Sequence, residues 1–316
     1  MIKSALYQLT RFSGLHRWAY RRMSNHGQSI ILCLHNVSEE SNLLYPSMKP
    51  DVFRRLLRYL AEHFDIVSLD ELVEEQQGKK PRLVITFDDG YKDFMKFVLP
   101  EIIELGIPSS LNVVYRSADE NWPPWTNQFN QLIHDIHSKG VSRVLSFGGH
   151  DYTLGKSKNH DVHNGNSLFW KLFNASATER VQFLGKYREL ITGKVDYMNW
   201  NDITECVSQG VQIGCHTYSH ELLHSLKDES QLQREIVQSR SDMREKLGRD
   251  IDILAFPNGQ YNQAVVQLAR NAGYKYLLGT EEIPYSGQEE VLPRIALNSD
   301  VWGELIFKLH GLNRLI

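Results

Sequence analysis

Seven short apolar runs, parted by helix patterns and one long connection, limit what this 316-residue chain can fold into. They span residues 29–34, 83–87, 110–114, 211–215, 253–256, 274–278 and 291–297. Most are apolar at consecutive positions rather than alternate ones, as in Ile-Ile-Leu-Cys-Leu. A strand with two apolar faces must be covered on both, and a parallel sheet flanked by helices achieves that. Helix patterns fall between the runs, at 52–64, 91–105, 201–209, 229–247 and 262–272. Asp51 after Pro50 reads as an N-cap, and Ser68-Leu-Asp-Glu71 as a capping box opening another helix. The 91–105 pattern is interrupted near Pro100, and Gly273 stops the last helix. The expected fold is α/β, a distorted (β/α) barrel of about seven parallel strands. Residues 116–200 break the rhythm with Trp122-Pro-Pro-Trp125 and a Gly/His/Asn-rich stretch. They read as a long insertion between two barrel strands rather than as an independent domain.

Composition removes several classes. No apolar run reaches the ~18–20 residues of a spanning helix. Cys33, Cys206 and Cys215 are too few and too scattered for a disulfide framework or a cysteine zinc site. The formal charge of −3 conceals an asymmetry: up to Val37 there is no acid, and Lys3, Arg11, Arg17, Arg21 and Arg22 are the charged residues. Ile2, Leu6, Leu9, Phe12, Leu15 and Ala19 recur at helical steps there. Residues 1–27 are therefore expected to form a basic amphipathic segment ahead of one domain at 28–316. A helix packed on that domain is the preferred reading, and peripheral contact with an anionic membrane is the alternative. Arg11 and Gly14 break the apolar stretch, so it does not read as a secretory signal. The expected location is cytoplasmic, at the inner membrane face if the segment binds lipid. A short basic segment on an acidic body, without a recognition motif, gives no support to nucleic acid as a partner.

Ligands bind at the carboxyl ends of strands in such folds. Three segments end strands with chemistry-bearing residues. Leu83-Val-Ile-Thr-Phe runs into Asp88-Asp89-Gly90, adjacent carboxylates that repel unless they share a cation or proton. Alone, this pair reads equally as a helix cap or as a metal site. Val211-Gln-Ile-Gly-Cys is followed by His216-Thr-Tyr-Ser-His220, two histidines that one helical turn would put on one face. Close histidine pairs are cheap, as His134/His137 and His160/His163 illustrate; position after a strand distinguishes His216/His220. Leu254-Ala-Phe is followed by Pro257-Asn258-Gly259, a tight turn able to present a backbone N–H. Together the segments describe an oxygen/nitrogen metal site with a spare carboxylate, the equipment of a hydrolase.

The same residues resemble the polysaccharide deacetylases of carbohydrate esterase family four, the NodB-homology type. Thr86-Phe87-Asp88-Asp89-Gly90 is similar to the family's TFDDG motif, and His216-Thr-Tyr-Ser-His220 to its H[ST]xxH motif. Phe256-Pro257-Asn258-Gly259 is similar to its third, proline-containing motif, and the coarse match runs from about residue 30 to 309. The resemblance implies a metal-dependent deacetylase acting on the N-acetyl amide of a sugar in a polysaccharide or lipid-linked glycan. Asp88 would be the base, and Asp89, His216 and His220 the ligands of a divalent ion, Zn²⁺ first. A backbone N–H around Asn258 would meet the oxyanion. Where the family often carries an arginine ahead of the third motif this chain has Leu254-Ala255, so Arg294 is the candidate partner of Asp88. His310 in Leu309-His-Gly echoes the late leucine-histidine motif and would be the general acid. His35, ending the first run, would line the site, and Trp122 and Trp125 would stack on the sugar. The competing reading is a catalytically silent relative that binds glycan.

Overall fold

The computed structural model describes residues 15–73 and 80–312. All seven runs become strands of one parallel sheet: β1 (Ile30–Leu34), β3 (Arg82–Phe87), β4 (Ser110–Val113), β7 (Gln212–Cys215), β8 (Ile253–Ala255), β9 (Tyr276–Leu278) and β10 (Ile295–Ala296). A short β2 (Asp65–Ile66) pairs with the start of β3, while β5 (Arg143–Phe147) and β6 (His150–Leu154) form a separate antiparallel hairpin. The strand order is β10-β1-β3-β4-β7-β8-β9. The sheet curls until its two edges approach each other. Leu292, just ahead of β10, bridges in parallel to Leu278 of β9, and its N–H donates to Leu277 O at 2.7 Å. Residues 292–296 thus pair with both edges, and the result is the expected distorted (β/α) barrel.

Alternation along each strand sorts the side chains. Leu32, Leu34, Ile85 and Phe87 join Phe53, Leu56, Leu57 and Leu60 of helix Pro50–His63 in the main core. Ile31, Val84, Ile253, Ala255, Leu278 and Leu292 form a second cluster on the opposite face. Continuing the inner parity past the strand ends gives Cys33 and His35, Thr86 and Asp88, Asn112, and Gly214 and His216. The barrel therefore points its polar residues into one mouth.

Local signals behave as their chemistry dictates, with two corrections. Ser68 and Glu71 form the capping box. Asp51 does not cap: Lys49 is the N-cap, Pro50 takes the first helical position, and Asp51 sits in the first turn. The 91–105 pattern breaks into a π-helical turn, Phe94–Val98, and helix Leu99–Glu104, because Pro100 lacks the N–H needed to continue the ladder. The β5–β6 hairpin was not expected; its strands are only partly buried, so no two-faced apolar run announces them.

Between β4 and β7 the chain builds a second apolar core from Trp125, Phe129, Ile133, Leu145, Leu168 and Leu172, closed by Leu222. The buried Asp161 carboxylate there is bonded to His137 Nδ1 at 2.8 Å and accepts from the Gly155 N–H at 2.9 Å. His137 is thus a structural partner. Of the basic segment, residues before Leu15 lie outside the described residues. Helix Leu15–Asn25 packs Ala19 against Phe307 and Leu312 and Met23 into the main core, while Trp18 is exposed.

Asp93, beside the barrel mouth, accepts backbone N–H bonds from Val37 and Phe94, yet burial pushes its carboxyl up to about 7. Between the ordinary carboxylate value and that value the folded state holds a proton that the unfolded chain has released. The group's contribution to stability therefore falls as pH rises through that window. Asp93→Asn is expected to raise Tm at about pH 8 and leave it unchanged at about pH 4. Thermal melts at the two values check this; a variant melting lower at the higher pH contradicts it.

Candidate active site

Asp88 continues the strand ladder, its N–H donating to Leu34 O at 2.9 Å, and then the backbone turns sharply. Asp89 (φ 73°) and Gly90 (φ 75°) are both left-handed. Two such residues in succession re-aim the chain, and adjacent carboxylates that would point to opposite faces of a strand share one cavity.

Their partners differ. Arg294 grips Asp88 in a fork, Nη1 to Oδ1 at 2.8 Å and Nη2 to Oδ2 at 2.7 Å. Asn112 Nδ2 adds a bond to Oδ1 at 2.8 Å, and Cys33 Sγ donates to Oδ2 at 3.4 Å. Arg294 is fully buried and is itself held by Gly279 O and Thr86 Oγ1. Burial alone would raise the Asp88 carboxyl; the Arg294 charge, with His216, outweighs it and holds the group well below the usual carboxylate range. Asn112 reaches Asp88 because position 214 is glycine: a Cβ there would collide with the Asn112 amide and lie 2.8 Å from Ile253 Cβ.

Asp89 turns the other way. Its Oδ1 lies 3.5 Å from Nε2 of both His216 and His220, is buried, and has no hydrogen-bond partner. His216 Nδ1 lies 2.8 Å from Ala255 O; a carbonyl only accepts, so Nδ1 carries the proton and Nε2 is free to ligate. Burial first, and then the neighbouring His216, push His220 down to about 4, so it is neutral at physiological pH. Two ligand atoms of one tetrahedral zinc are about 3.4 Å apart for bonds of about 2.1 Å. A buried oxygen without a partner, two imidazoles facing it and that spacing fit a divalent ion. One sequence expectation is corrected: residues 216–220 are no helical turn. Thr217 (φ 67°) and His220 (φ 61°) are left-handed, and this loop brings the rings to 4.8 Å.

The remaining candidates divide. His35 lines the cavity edge-on to Tyr45 at 5.3 Å, with its Nδ1 buried and unpartnered. Burial lowers its pKa. Asn258 stands on the wall at the end of β8, left-handed at φ 53°. Three candidates lie elsewhere. His310 ends the C-terminal helix, 6.4 Å from the rings of Tyr20 and Phe64, its Nδ1 2.8 Å from Ile306 O. Phe64 precedes β2, so His310 sits where strands begin, across the sheet from Asp88. Trp122 lies under the Arg116 guanidinium at 4.3 Å, and Trp125, 3% exposed, stacks on Phe169 within the insertion's core. Neither lines the cavity.

The insertion supplies other residues there. The cavity, about 250 Å³, is walled by Asn127, Asn130, Phe169 and Trp170 of the insertion, with Tyr45 and Tyr91 from loops after β1 and β3, opposite the barrel's acids and histidines. Asn166, Phe169 and Trp170 share one face of helix Lys158–Phe173, and Trp170 is 58% exposed at the mouth. A wider groove of about 780 Å³ adjoins it through Tyr45, Tyr91, Asn127 and Asn130. Sequence reasoning missed these residues. Helical spacing places Phe169 and Trp170 in a stripe with Phe173 but does not say that the stripe's edge faces a cavity.

Arg294→Leu removes the largest force holding Asp88 down and leaves burial opposed mainly by His216. The acid limb of the kcat/KM profile is expected to move to higher pH, with a stability loss of about 3–5 kcal/mol at neutral pH. Rate profiles and denaturant melts check both; an unmoved acid limb contradicts the pairing.

The polysaccharide deacetylase family profile matches residues 186–277, the stretch that carries His216, His220 and Asn258. Among curated proteins, none matches the sequence. Among solved structures the chain is similar to the Streptococcus pyogenes deacetylase PplD in complex with acetate. That likeness has 17% identity and a TM-score of 0.58, over 89% of this chain and 97% of that one. It is similar to IcaB from Ammonifex degensii at 15% identity and TM-score 0.57, over 90% and 97%. It is also similar to BC0361, a polysaccharide deacetylase from Bacillus cereus, at 12% identity and TM-score 0.57, over 90% and 69%. At these identities the structural likeness is one of fold.

Proposed function

We propose that this chain is a polysaccharide deacetylase and that it hydrolyses the N-acetyl amide of a sugar in a polysaccharide or lipid-linked glycan, with Zn²⁺ as cofactor. One observation carries the reading: adjacent carboxylates with opposite partners, Asp88 gripped by Arg294 and Asp89 facing two imidazoles. An ion held by Asp89, His216 and His220 would polarise the amide carbonyl and acidify water. Asp88, ionised throughout the physiological range, accepts the proton of the attacking water. A carboxylate so stabilised is a weak base and suits only acidified water. The Asn258 N–H donates to the amide oxygen as it gains charge. His35, not His310, passes a proton to the leaving nitrogen: among the described residues lining the cavity it is the imidazole outside the ligand set. As a neutral ring it takes up on one nitrogen the proton that Asp88 accepted from water and releases one from the other. The products are acetate and a free amine; the acetate bound to the similar streptococcal deacetylase supports that acyl group.

A cavity of about 250 Å³ suits one acylated sugar residue, and Trp170 with Phe169 offers it an aromatic face. No Lys or Arg is among the described lining residues, which favours an uncharged sugar there. Trp18, Arg21 and Arg22 on the exposed side of helix Leu15–Asn25 support peripheral contact with an anionic membrane through residues 1–27. Flotation of the whole protein with anionic vesicles, absent with neutral ones, is the expected outcome there; no flotation contradicts it.

Metal analysis coupled to acetate release over N-acetylated glycans tests the main reading. Release is expected to stop with chelator. It should be lost in Asp88→Asn with the ion retained, and lost together with the ion in Asp89→Asn/His216→Ala. His35→Ala is expected to lower kcat by about 10²–10⁴-fold. Trp170→Ala is expected to raise KM with little change in kcat, and His310→Ala to leave both. Glycan binding without release, even with added zinc or cobalt, identifies the silent glycan-binding relative instead.

A further inference from the structure

The loop that carries both histidines is bonded at nearly every peptide. On its outer side Tyr115 N–H donates to Thr217 O at 3.1 Å and Arg116 N–H to Tyr218 O at 2.9 Å. On its inner side one residue, Glu235, takes the N–H groups of Tyr218 and Ser219. Its Oε2 accepts from the Ser219 N–H at 2.9 Å and its Oε1 from the Ser219 hydroxyl at 2.5 Å. Its main-chain carbonyl accepts from the Tyr218 N–H at 3.2 Å. The Thr217 hydroxyl also bonds the carboxylate, and it accepts from the His220 N–H at 3.0 Å. Glu235 is 5% exposed, and among the described residues no cation pairs with it. A buried carboxylate satisfied almost wholly by one loop is a costly way to stabilise a fold and an effective way to shape that loop.

Its own helix is distorted to deliver it. Glu229–Gln233 and Ser239–Leu247 are α-helical, but Arg234–Gln238 between them is a π-helical turn. Such a turn inserts an extra residue and is found at functional positions. Ser239 steadies the turn by donating from its hydroxyl to the Glu235 carbonyl at 2.6 Å.

We propose that Glu235 is a positioning residue for the metal site: it holds Thr217 and His220 left-handed and so sets how tightly His216 and His220 take a divalent ion. The role rests on the metal-site reading above. Glu235 touches neither the ion's ligand atoms nor the sugar cavity, so it acts on affinity and geometry rather than on substrate contact.

The test titrates metal-free full-length protein with Zn²⁺ by calorimetry and with Co²⁺ by visible absorption. The variants are Glu235→Ala, Glu235→Gln and Ser219→Ala, each checked by circular dichroism. Glu235→Ala is expected to weaken Zn²⁺ binding by about 10–100-fold and to alter the cobalt band. Glu235→Gln keeps an acceptor for the Ser219 N–H and should recover most of the affinity. Ser219→Ala, at a partly exposed position, loses only the hydroxyl bond; it should weaken binding several-fold and keeps the test open if Glu235→Ala does not fold. Wild-type affinity and cobalt spectrum in every folded variant overturn the role while leaving the metal site intact. A wild-type protein that takes no ion overturns the metal site, and the role with it.

Discussion

A buried guanidinium set against a buried carboxylate is the constraint on which the rest of this molecule depends. Isolated in the barrel, either charge would carry a large desolvation penalty; paired as a fork, with Asn112, Thr86 and Gly279 taking the remaining bonds, they become tolerable. The pair also fixes a division of labour. Because Asp88 is fully engaged with Arg294, the adjacent Asp89 is left to face the histidines. Two carboxylates one residue apart thereby acquire different chemistry from their surroundings alone.

Two layers of the protein meet at the mouth. The barrel contributes acids, imidazoles and the Asn258 turn, all at strand ends and held by the sheet. The insertion contributes Asn127, Phe169 and Trp170 from helices with a separate apolar core. It is also fastened beside the histidine loop: the fully buried Arg180 reaches Glu221, the residue after His220, at 2.5 Å. The wall that would contact a sugar and the loop that would hold an ion are therefore mechanically connected.

Much of this was legible in the sequence where a two-faced apolar strand ran straight into a reactive residue. Asp88, Asp89, His216 and Asn258 stand at such junctions, and period-two alternation aims the strand-end residues inward. The spacing of His216 and His220 was legible, but its cause was misread. A four-residue interval suits a helical turn and a left-handed loop alike, and only the bonds from Glu235, Tyr115 and Arg116 decide between them. Trp122, Trp125 and His310 were misjudged for a related reason. Aromatic and imidazole side chains are as much at home in an apolar interior as in a cleft, and nothing local says which side of a sheet a C-terminal helix will cover. Trp170 escaped notice because its stripe reads as core.

The segment stitched to both edges of the sheet has a consequence for how the protein comes into being. Arg294 lies on it, 206 residues beyond the Asp88 it neutralises. On the ribosome, the strand that ends at Asp88 emerges long before its counter-ion exists. Until the chain has been made almost to its last helix, that acid has every reason to stay in water or keep its proton. Closing the sheet and charging the site are then a single late event, and a partly made chain has no half-working centre to expose.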